Sequence, residues 1–503
     1  MAVASVAASV QFAHAQNSIV KTTETDAVSA QKPFPEELPL EEVLVTASAL
    51  RTPVGEAVQP ATVMRGDILE QNLATDIGTV LEKTPGLSNA GFGPGVGQPV
   101  IRGLGAGRVR TLQDGTDTFD AANVSADHAI SSDPLSAEAI EVLRGPATLV
   151  YGSGAIGGVV NTVDSLISEK PHEETAGQIA FGVDNGKQGK FARGGIELGD
   201  GTWAVHLHGS KTESDDIEIP GYAEASPEEG EEKTSNLDNS AVETENVSLG
   251  VAYHQSWGFV GIGVERVESL YGIPGGHSHH EEEEGEEHEE AHHEDEEDVR
   301  IDLKQDRVRL KGEWFEPVAG LESLRFKASL ADYEHQELEG DEVGTRFSVK
   351  GKSVRIEAVH SPLGYAKGVV GVHLKQRDFE AVGEEAFVPN TKTDSQALYL
   401  VEKLEFSDRL TVEAGLRLEQ EKHHADGFKE SDFDLFGASL GMRYELLDEL
   451  AFTGSFAHGE RAASAEELYS NGVHVATNSF ERGDENLDKE KSFNTDIGLR
   501  WES

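Results

Sequence analysis

The sequence predicts an antiparallel β-barrel that follows a small mixed α/β domain. From about residue 176 onward, apolar and polar residues alternate in segments of roughly ten residues, about fourteen in number. Short turns and long polar loops join these segments alternately, which is typical of an outer-membrane barrel. Before them, residues 49–170 combine Gly-rich turns, short apolar segments and helix-like stretches near 66–84, as expected of a mixed α/β domain.

The alternation predicts which side chains face the barrel interior. In residues 202–210, Trp203, Val205 and Leu207 share one face, and Ala204 and His206 share the other. A soluble β-sandwich also alternates, but the number of segments and their unequal connections favour a barrel. The same pattern recurs in residues 246–254, 307–313 and 493–501.

Composition narrows the chemistry of this 503-residue chain. It has no cysteine, which excludes disulfides and thiolate metal sites, so any transition metal must be held by His, Asp and Glu. The formal net charge of −50 argues against nucleic acid as a partner and favours cations. No apolar stretch is long enough for a membrane helix. We find no hydrolytic metal motif, so the sequence predicts neither an enzyme nor a catalytic cofactor.

The first residues have the features of a secretory signal. Small and apolar residues lead to Ala13-His14-Ala15, which resembles the A-x-A cleavage site, so residues 1–15 are interpreted as a signal peptide remnant. The alternative is a disordered tail. Residues 16–48 are polar and contain three prolines before residue 40, which predicts a flexible linker.

Several motifs in the first third of the chain resemble those of TonB-dependent outer-membrane receptors. Residues 41–48 resemble a TonB box, the segment that a periplasmic partner draws into an added strand. Its six central residues are Glu42, Val43, Leu44, Val45, Thr46 and Ala47. The plug-domain signature of that family is resembled by VIRGL at 100–104, EVLRGPA at 141–147 and YGSGAIGGVVN at 151–161.

This resemblance implies an overall organisation. Residues 49–170 would form a plug inside the lumen, and residues 171–503 the N-terminal part of an outer-membrane barrel in contact with lipid. Barrels of this class have 22 strands, so about fourteen imply a barrel truncated at its C-terminus. TonB, with its inner-membrane energising complex, would be the protein partner. We expect Arg102, Arg108 and Arg144 to pair with acidic groups of the inner barrel wall.

One predicted outer loop has an extreme composition. Residues 277–298 contain six histidines and thirteen acidic residues among twenty-two. Imidazole favours zinc, copper or nickel, whereas carboxylates alone would favour calcium or magnesium. A solvated acidic loop is the alternative. We interpret this loop as an accessory metal-capture segment that uses His277, His279, His280, His288, His292 and His293.

Four shorter segments resemble zinc receptors of the ZnuD type. They are NVSADHA at 123–129, YGIP at 271–274, DYEHQE at 332–337 and EELYSNGVHVATN at 466–478. Carried over residue by residue, the resemblance implies a zinc site made of Asp127, His128, Glu337 and His474. Two imidazoles and two carboxylates can hold Zn²⁺ with four ligands.

Strand parity supports an inward Glu337. If Leu324 and Leu330 face lipid, counting by twos places Tyr333, His335 and Glu337 towards the lumen. Glu334 and His335 are the neighbours that could replace Glu337 as ligand. The sequence thus predicts TonB-dependent transport of zinc as cargo. The rivals are another cargo (copper, nickel, haem or a metal–chelator complex) and a metal-binding surface barrel that transports nothing.

Overall fold

The N-terminal domain is a mixed α/β unit. In the computed structural model, the described residues are 4–9, 44–223, 235–278, 297–340, 342–383, 386–474 and 479–501. A five-stranded sheet has the order Ala61–Arg65, Ala139–Leu143, Gly158–Val163, Val109–Gln113 and Thr116–Asp117. A separate hairpin pairs Leu87–Gly91 with Gly97–Ile101, and the helices are Gly66–Asn72 and Ile77–Leu81. These helices lie where the sequence predicted helix-like stretches.

Fourteen strands follow and form one antiparallel meander, as predicted. Long apolar-polar alternation favours such strands. In order they are Ala176–Asp184, Gly189–Gly199, Trp203–Ser214, Val242–Gln255, Gly258–Ser278, Glu297–Phe315, Leu321–Glu339, Glu342–His360, Ala366–Gly383, Thr391–Ser407, Leu410–Ala425, Ser431–Leu447, Leu450–Arg461 and Glu490–Trp501.

Two shorter hairpins and a helix lie in the connections. Ile217–Glu218 pairs with Asn236–Leu237 after the third barrel strand. The helix Ala465–Tyr469 and the hairpin of Asn471–His474 with Ser479–Arg482 lie between the last two barrel strands. A capping box at Ser464 and Glu467 begins this helix.

The edge of the first barrel strand is paired with the N-terminus. The strand Ala4–Ser9 pairs antiparallel with Ala176–Asp184. Ala4–Ser9 belongs to the segment that is interpreted as a signal peptide. That interpretation stays a prediction. Among the described residues, no pairing joins Ala4–Ser9 to Glu490–Trp501 at the other end of this sheet.

The N-terminal domain lies against the concave face of the barrel sheet, as a plug. Basic side chains from widely separated wall strands donate hydrogen bonds to its backbone carbonyls. The pairs are Arg193 with Leu135 (3.0 Å), Arg307 with Thr118 (3.2 Å), Lys327 with Asp114 (2.6 Å), Arg417 with Val150 (3.0 Å) and Arg500 with Val54 (2.7 Å). Hydrogen bonds from charged donors are the stronger kind, so the wall fixes the plug from several sides.

The outer face of the sheet is apolar, as the alternation predicted. Trp203 and Leu207 are exposed, whereas Ala204 and His208 of the same strand are buried against the interior. Such a face suits the hydrocarbon of a bilayer. Within the described part of the chain, none of the helices has the length and apolar character needed to cross a membrane.

The second half of the predicted TonB box is docked on the plug. Val45 and Ala47 are only 1% and 2% exposed. The carboxylate of Glu141 accepts hydrogen bonds from the backbone N–H groups of Thr46 (2.7 Å) and Ala47 (2.8 Å). The Tyr151 hydroxyl donates to the Ala47 carbonyl at 2.9 Å. Residues 41–43 lie outside the described residues.

Two of the three plug arginines pair with the wall as predicted. Arg102 lies 2.6 Å from Asp496, and Arg108 lies 2.9 Å from Glu490, both on the last strand. The Arg144 guanidinium donates to the Thr62 hydroxyl within the plug at 3.2 Å, and the charge of Asp496 on the wall also acts on it. The arginine follows strand Ala139–Leu143, which pairs with Ala61–Arg65, so the plug sheet itself supplies its acceptor.

Candidate metal centre

The plug contributes Asp127 and His128 from an irregular loop. The Gln98 amide donates to the carbonyls of Ala122 (2.8 Å), Ser125 (3.2 Å) and His128 (3.3 Å). These hydrogen bonds fix the loop on the plug strand Gly97–Ile101. From the wall, the Tyr271 hydroxyl accepts from the Ala129 N–H at 3.0 Å and donates to the Asp127 carbonyl at 3.3 Å. The pair is therefore positioned by both bodies.

The wall contributes two residues from one strand. His335 and Glu337 stand two residues apart on Leu321–Glu339, and both are buried with Tyr333 on the lumen side. The predicted parity is therefore confirmed, and Glu334, which pairs with Lys304 across the strands, belongs to the opposite face.

His474 completes the group from the connection between the last two barrel strands. It ends the short strand Asn471–His474, and its ring stacks on Phe387 with centroids 5.0 Å apart. Its Nε2 lies 3.3 Å from Oδ1 of Asp127 and 2.8 Å from Oγ of Ser125. Ser125 also contacts the Asp127 carboxylate directly.

These side chains form one continuous cluster. His128 Nε2 lies 3.2 Å from Glu337 Oε1 and 3.9 Å from Asp127 Oδ2. His335 Nε2 lies 3.9 Å from the same Glu337 oxygen. One ligand atom from each of His128, His335 and Glu337 lies within 4.8 Å of the other two. The cluster is divided between plug and wall, so neither body can form it alone.

All three imidazoles are oriented alike. An oxygen partner holds each Nδ1: the Ala121 carbonyl for His128 at 3.2 Å, the Tyr333 hydroxyl for His335 at 2.8 Å, and Glu481 for His474 at 2.9 Å. Each Nε2 is thereby directed at the carboxylates of Asp127 and Glu337. An oxygen on the far nitrogen is the usual arrangement of a metal-binding histidine.

Two polar atoms of the cluster lack hydrogen-bond partners in the described structure. They are His335 Nε2 and Glu337 Oε2, and the His335 ring lies against those of Tyr333 and Phe347. A buried polar atom without a partner costs about 1–3 kcal/mol, and native proteins keep such atoms mainly where they have a role. Both atoms can act as ligands to a cation.

The charged groups of the cluster shift one another's pKa values. Burial alone would raise the pKa of Asp127, but His128, His474 and Ser125 outweigh it and bring that pKa well below its usual range. Burial would lower the pKa of His474, but Asp127 and Glu481 raise it to about 9. The pKa of His128 is also raised, by Asp127 and Glu337 against the effect of burial. The plug part of the site therefore favours one or more positive charges.

The structure brings the four predicted ligands into one chain of contacts, in the order Glu337, His128, Asp127, His474. It places His335, which the sequence offered as a replacement for Glu337, beside both Glu337 and His128. Sequence reasoning missed Tyr333 and Ser125 as supporting residues. For Tyr333 a signal existed, because it shares the inward parity of His335 at a spacing of two.

The structure does not test the other predicted metal residues. His279, His280, His288, His292 and His293 fall outside the described residues. The backbone of His277 pairs with that of Asp298, so the two ends of the segment 277–298 are joined. Their role in metal capture stays a prediction.

Models of two protein families match this chain. Residues 53–159 match the TonB-dependent receptor plug domain, and residues 313–503 match the TonB-dependent receptor-like β-barrel. A hemin receptor from Yersinia pestis is 24% identical over 459 residues, which are 86% of this chain. The chain spans 62% of the length of that relative.

Solved structures of similar fold include two metal transporters and a siderophore receptor. The iron transporter FrpB from Neisseria meningitidis aligns with a TM-score of 0.69 at 13% identity, over 88% of this chain and 70% of its own. The copper transporter OprC aligns with 0.68 at 16% identity, over 88% and 70%. The siderophore receptor PirA from Acinetobacter baumannii aligns with 0.67 at 18% identity, over 92% and 70%. With a plug and a fourteen-strand sheet in place, the chain belongs to the TonB-dependent receptor family of the outer membrane.

Proposed function

We propose that this receptor takes up zinc ions across the outer membrane in a TonB-dependent manner. The observation that carries the proposal is the orientation of three imidazoles, each held at Nδ1 and directed by Nε2 at Asp127 and Glu337. The proposed role is transport rather than catalysis.

Two pairs of ligand atoms have the separation expected around a zinc ion. Two ligands of a tetrahedral zinc ion, with bonds of about 2.1 Å, stand roughly 3.4 Å apart. The nitrogen–oxygen separations are 3.2 Å for His128 with Glu337 and 3.3 Å for His474 with Asp127. An ion drawing His335 towards Glu337 would shorten their present 3.9 Å.

A second candidate cargo is copper, because three imidazoles with carboxylates also suit Cu²⁺, which binds more tightly than Zn²⁺ at most such sites. The names of the similar proteins include haem, iron, copper and siderophore cargoes. A bare transition-metal ion is favoured over these chelates, because the ligand atoms of His128, His335 and Glu337 are buried and lie within 4.8 Å of one another.

The proposed mechanism begins at the surface. The negative charge of the receptor and the His/acid-rich loop raise the local concentration of cations. The ion then binds between plug and wall. TonB pairs with the box at residues 41–48, and force transmitted from its inner-membrane complex displaces the plug, which separates Asp127 and His128 from the wall ligands. Release follows from the loss of ligands.

Anomalous scattering at the zinc edge tests the cargo and the site together. Crystals of the protein with zinc are expected to show a peak bonded to His128, His335 and Glu337, with Asp127 and His474 as the remaining ligands. Parallel crystals with copper, and uptake measured for both metals, decide between the two cargoes. A peak confined to the outer loop would contradict the proposed site.

Tyr333→Phe is expected to weaken zinc binding by about 10–100-fold, because the hydroxyl that orients His335 is lost. Metal affinity of the purified variant is the measurement. Tyr399→Phe is the matched control, since Tyr399 is a buried lumen tyrosine whose hydroxyl donates to Glu357 instead. Equal losses in both variants would assign the effect to packing.

Zinc binding is expected to release protons and to strengthen with rising pH. The metal needs the lone pair of Nε2, but the pKa of His474 is raised to about 9, so its ring carries a proton at pH 7. Affinity should therefore rise through the neutral range and level off above the pKa of His474. Calorimetry in buffers of different ionisation enthalpy counts the protons. His474→Asn should release about one fewer, and an unchanged count would contradict His474 as a ligand.

A further inference from the structure

A second group of histidines lies near the opposite end of the barrel interior. His206 and His208 face inward from strand Trp203–Ser214, and Glu197 faces inward from the neighbouring strand Gly189–Gly199. His172 lies in the segment that joins the plug to the first barrel strand. The turn of residues 200–202 at this end is short, as periplasmic turns of such barrels are.

Glu197 lies between two imidazoles. Its Oε1 is 3.3 Å from His206 Nδ1, and its Oε2 is 3.7 Å from His172 Nε2. The strand register sets the first contact, since Glu197 and His206 are directly paired. The second is set by the His172 carbonyl, which accepts from the Gly201 N–H at 2.7 Å. Each separation is near the roughly 3.4 Å between two ligands of a tetrahedral zinc ion, and the two imidazoles face different oxygens of the one carboxylate.

The joining segment is held firmly against this part of the wall. Ser165 Oγ lies 3.2 Å from His206 Nδ1. One residue on, Leu166 packs so closely on the wall that a Cβ on Gly250 would overlap the Leu166 carbonyl oxygen. Because the plug backbone is anchored here, His172 and His206 keep their relative positions with respect to Glu197.

His208 extends the group towards the interior. It is 6% exposed, and its Nδ1 has no hydrogen-bond partner in the described structure. His206 and His208 both lie close to Gly195 on the neighbouring strand. A Cβ atom built on Gly195 would lie 3.9 Å from His206 Nε2 and 3.7 Å from His208 Cδ2. A cation arriving from the interior would meet His208 before Glu197.

The exposed fraction of the side chains increases from His206 through Glu197 to His172. The side chains of His206, Glu197 and His172 are 15%, 26% and 39% exposed. Water can therefore compete for an ion at His172 more readily than at the buried cluster of Asp127 and His128. Such a graded site binds weakly and releases to the periplasmic side.

We propose that His172, Glu197 and His206 form a second, weaker metal site through which the transported cation leaves the barrel, with His208 as the preceding imidazole. This inference rests on the proposed transport of a divalent transition metal. It adds a binding position for the cation between the first site and the periplasm.

Anomalous scattering from zinc-soaked crystals of the full chain tests the second site. A peak bonded to His206, Glu197 and His172 is expected in the wild type and in the Asp127→Ala/His128→Ala variant, and should be absent in His206→Gln. His360→Gln is the matched control, because His360 pairs with Glu402 at 3.1 Å near the same end and should leave the peak unchanged. No density at Glu197 in the wild type overturns the inference, whether or not the first site is filled.

Uptake separates this inference from the proposed function. His206→Gln is expected to slow delivery of zinc to the periplasm by at least about tenfold, with unchanged affinity at the first site. Unchanged delivery overturns its role in release. If crystals show zinc at Glu197 but none at His128, the proposed first site fails while the second stands.

Discussion

Replacing Asp127 and His128 together with alanine is expected to weaken zinc binding at the plug–wall site by more than about a hundredfold and to abolish zinc-limited growth. Loss of a group that merely orients a ligand already costs about 10–100-fold, and here two ligands are removed. The variant also removes the imidazole that lies 3.2 Å from Glu337 and the carboxylate that lies 3.3 Å from His474. Metal affinity of the purified protein and growth on limiting zinc are the two measurements.

The control for this variant is another buried lumen histidine. His423 lies 3.0 Å from the Thr393 hydroxyl and 3.4 Å from Glu421, away from the cluster. His423→Ala should keep zinc-limited growth. Both proteins must be present in the outer membrane at wild-type amounts, as measured in membrane fractions. Normal uptake by the double variant would refute the assigned site.

Proline in the TonB box is expected to reduce zinc uptake to the level of cells without the partner, while zinc binding stays unchanged. Strand addition depends on backbone N–H groups of the box, and proline has none. Val43 and Leu44 are adjacent, so their N–H groups point to opposite strand edges, and one of Val43→Pro and Leu44→Pro must block pairing. Leu44 is exposed, so its change removes little packing.

Alanine at the same two positions is the matched control and should retain uptake, because it keeps the N–H group. Uptake of labelled zinc by whole cells and binding by purified protein are measured side by side. Retained uptake in both proline variants would show that another segment engages the partner. Loss of binding would instead indicate damage to the plug, with Glu141 no longer holding Thr46 and Ala47.

Much of the barrel was predictable because parity is a local property. The side-chain period of two in residues 323–337 placed Glu337 and His335 on one face before any partner was known. The outward faces of Trp203 and Leu207 followed in the same way. The choice between Glu337 and His335 as ligand was not predictable, because it depends on the position of the plug loop that carries Asp127 and His128.

Contacts between distant segments escaped sequence reasoning. Glu141 lies 95 residues from Thr46, and nothing in either segment marks the hydrogen bond between them. Glu197 and His172 were likewise overlooked, because their approach to His206 depends on strand register and on the path of the joining segment. Arg144 resembled Arg102 in its motif, but a neighbouring plug strand offered Thr62 as a nearer acceptor.

The division of the first site between plug and wall makes coordination number a function of plug position. With the plug seated, an ion can draw on two donors from Asp127 and His128 and three from His335, Glu337 and His474. A shift of about one bond length, roughly 2 Å, takes the plug pair out of bonding range. In the proposed mechanism, displacement of the plug therefore sets the affinity for the ion and is enough to release it.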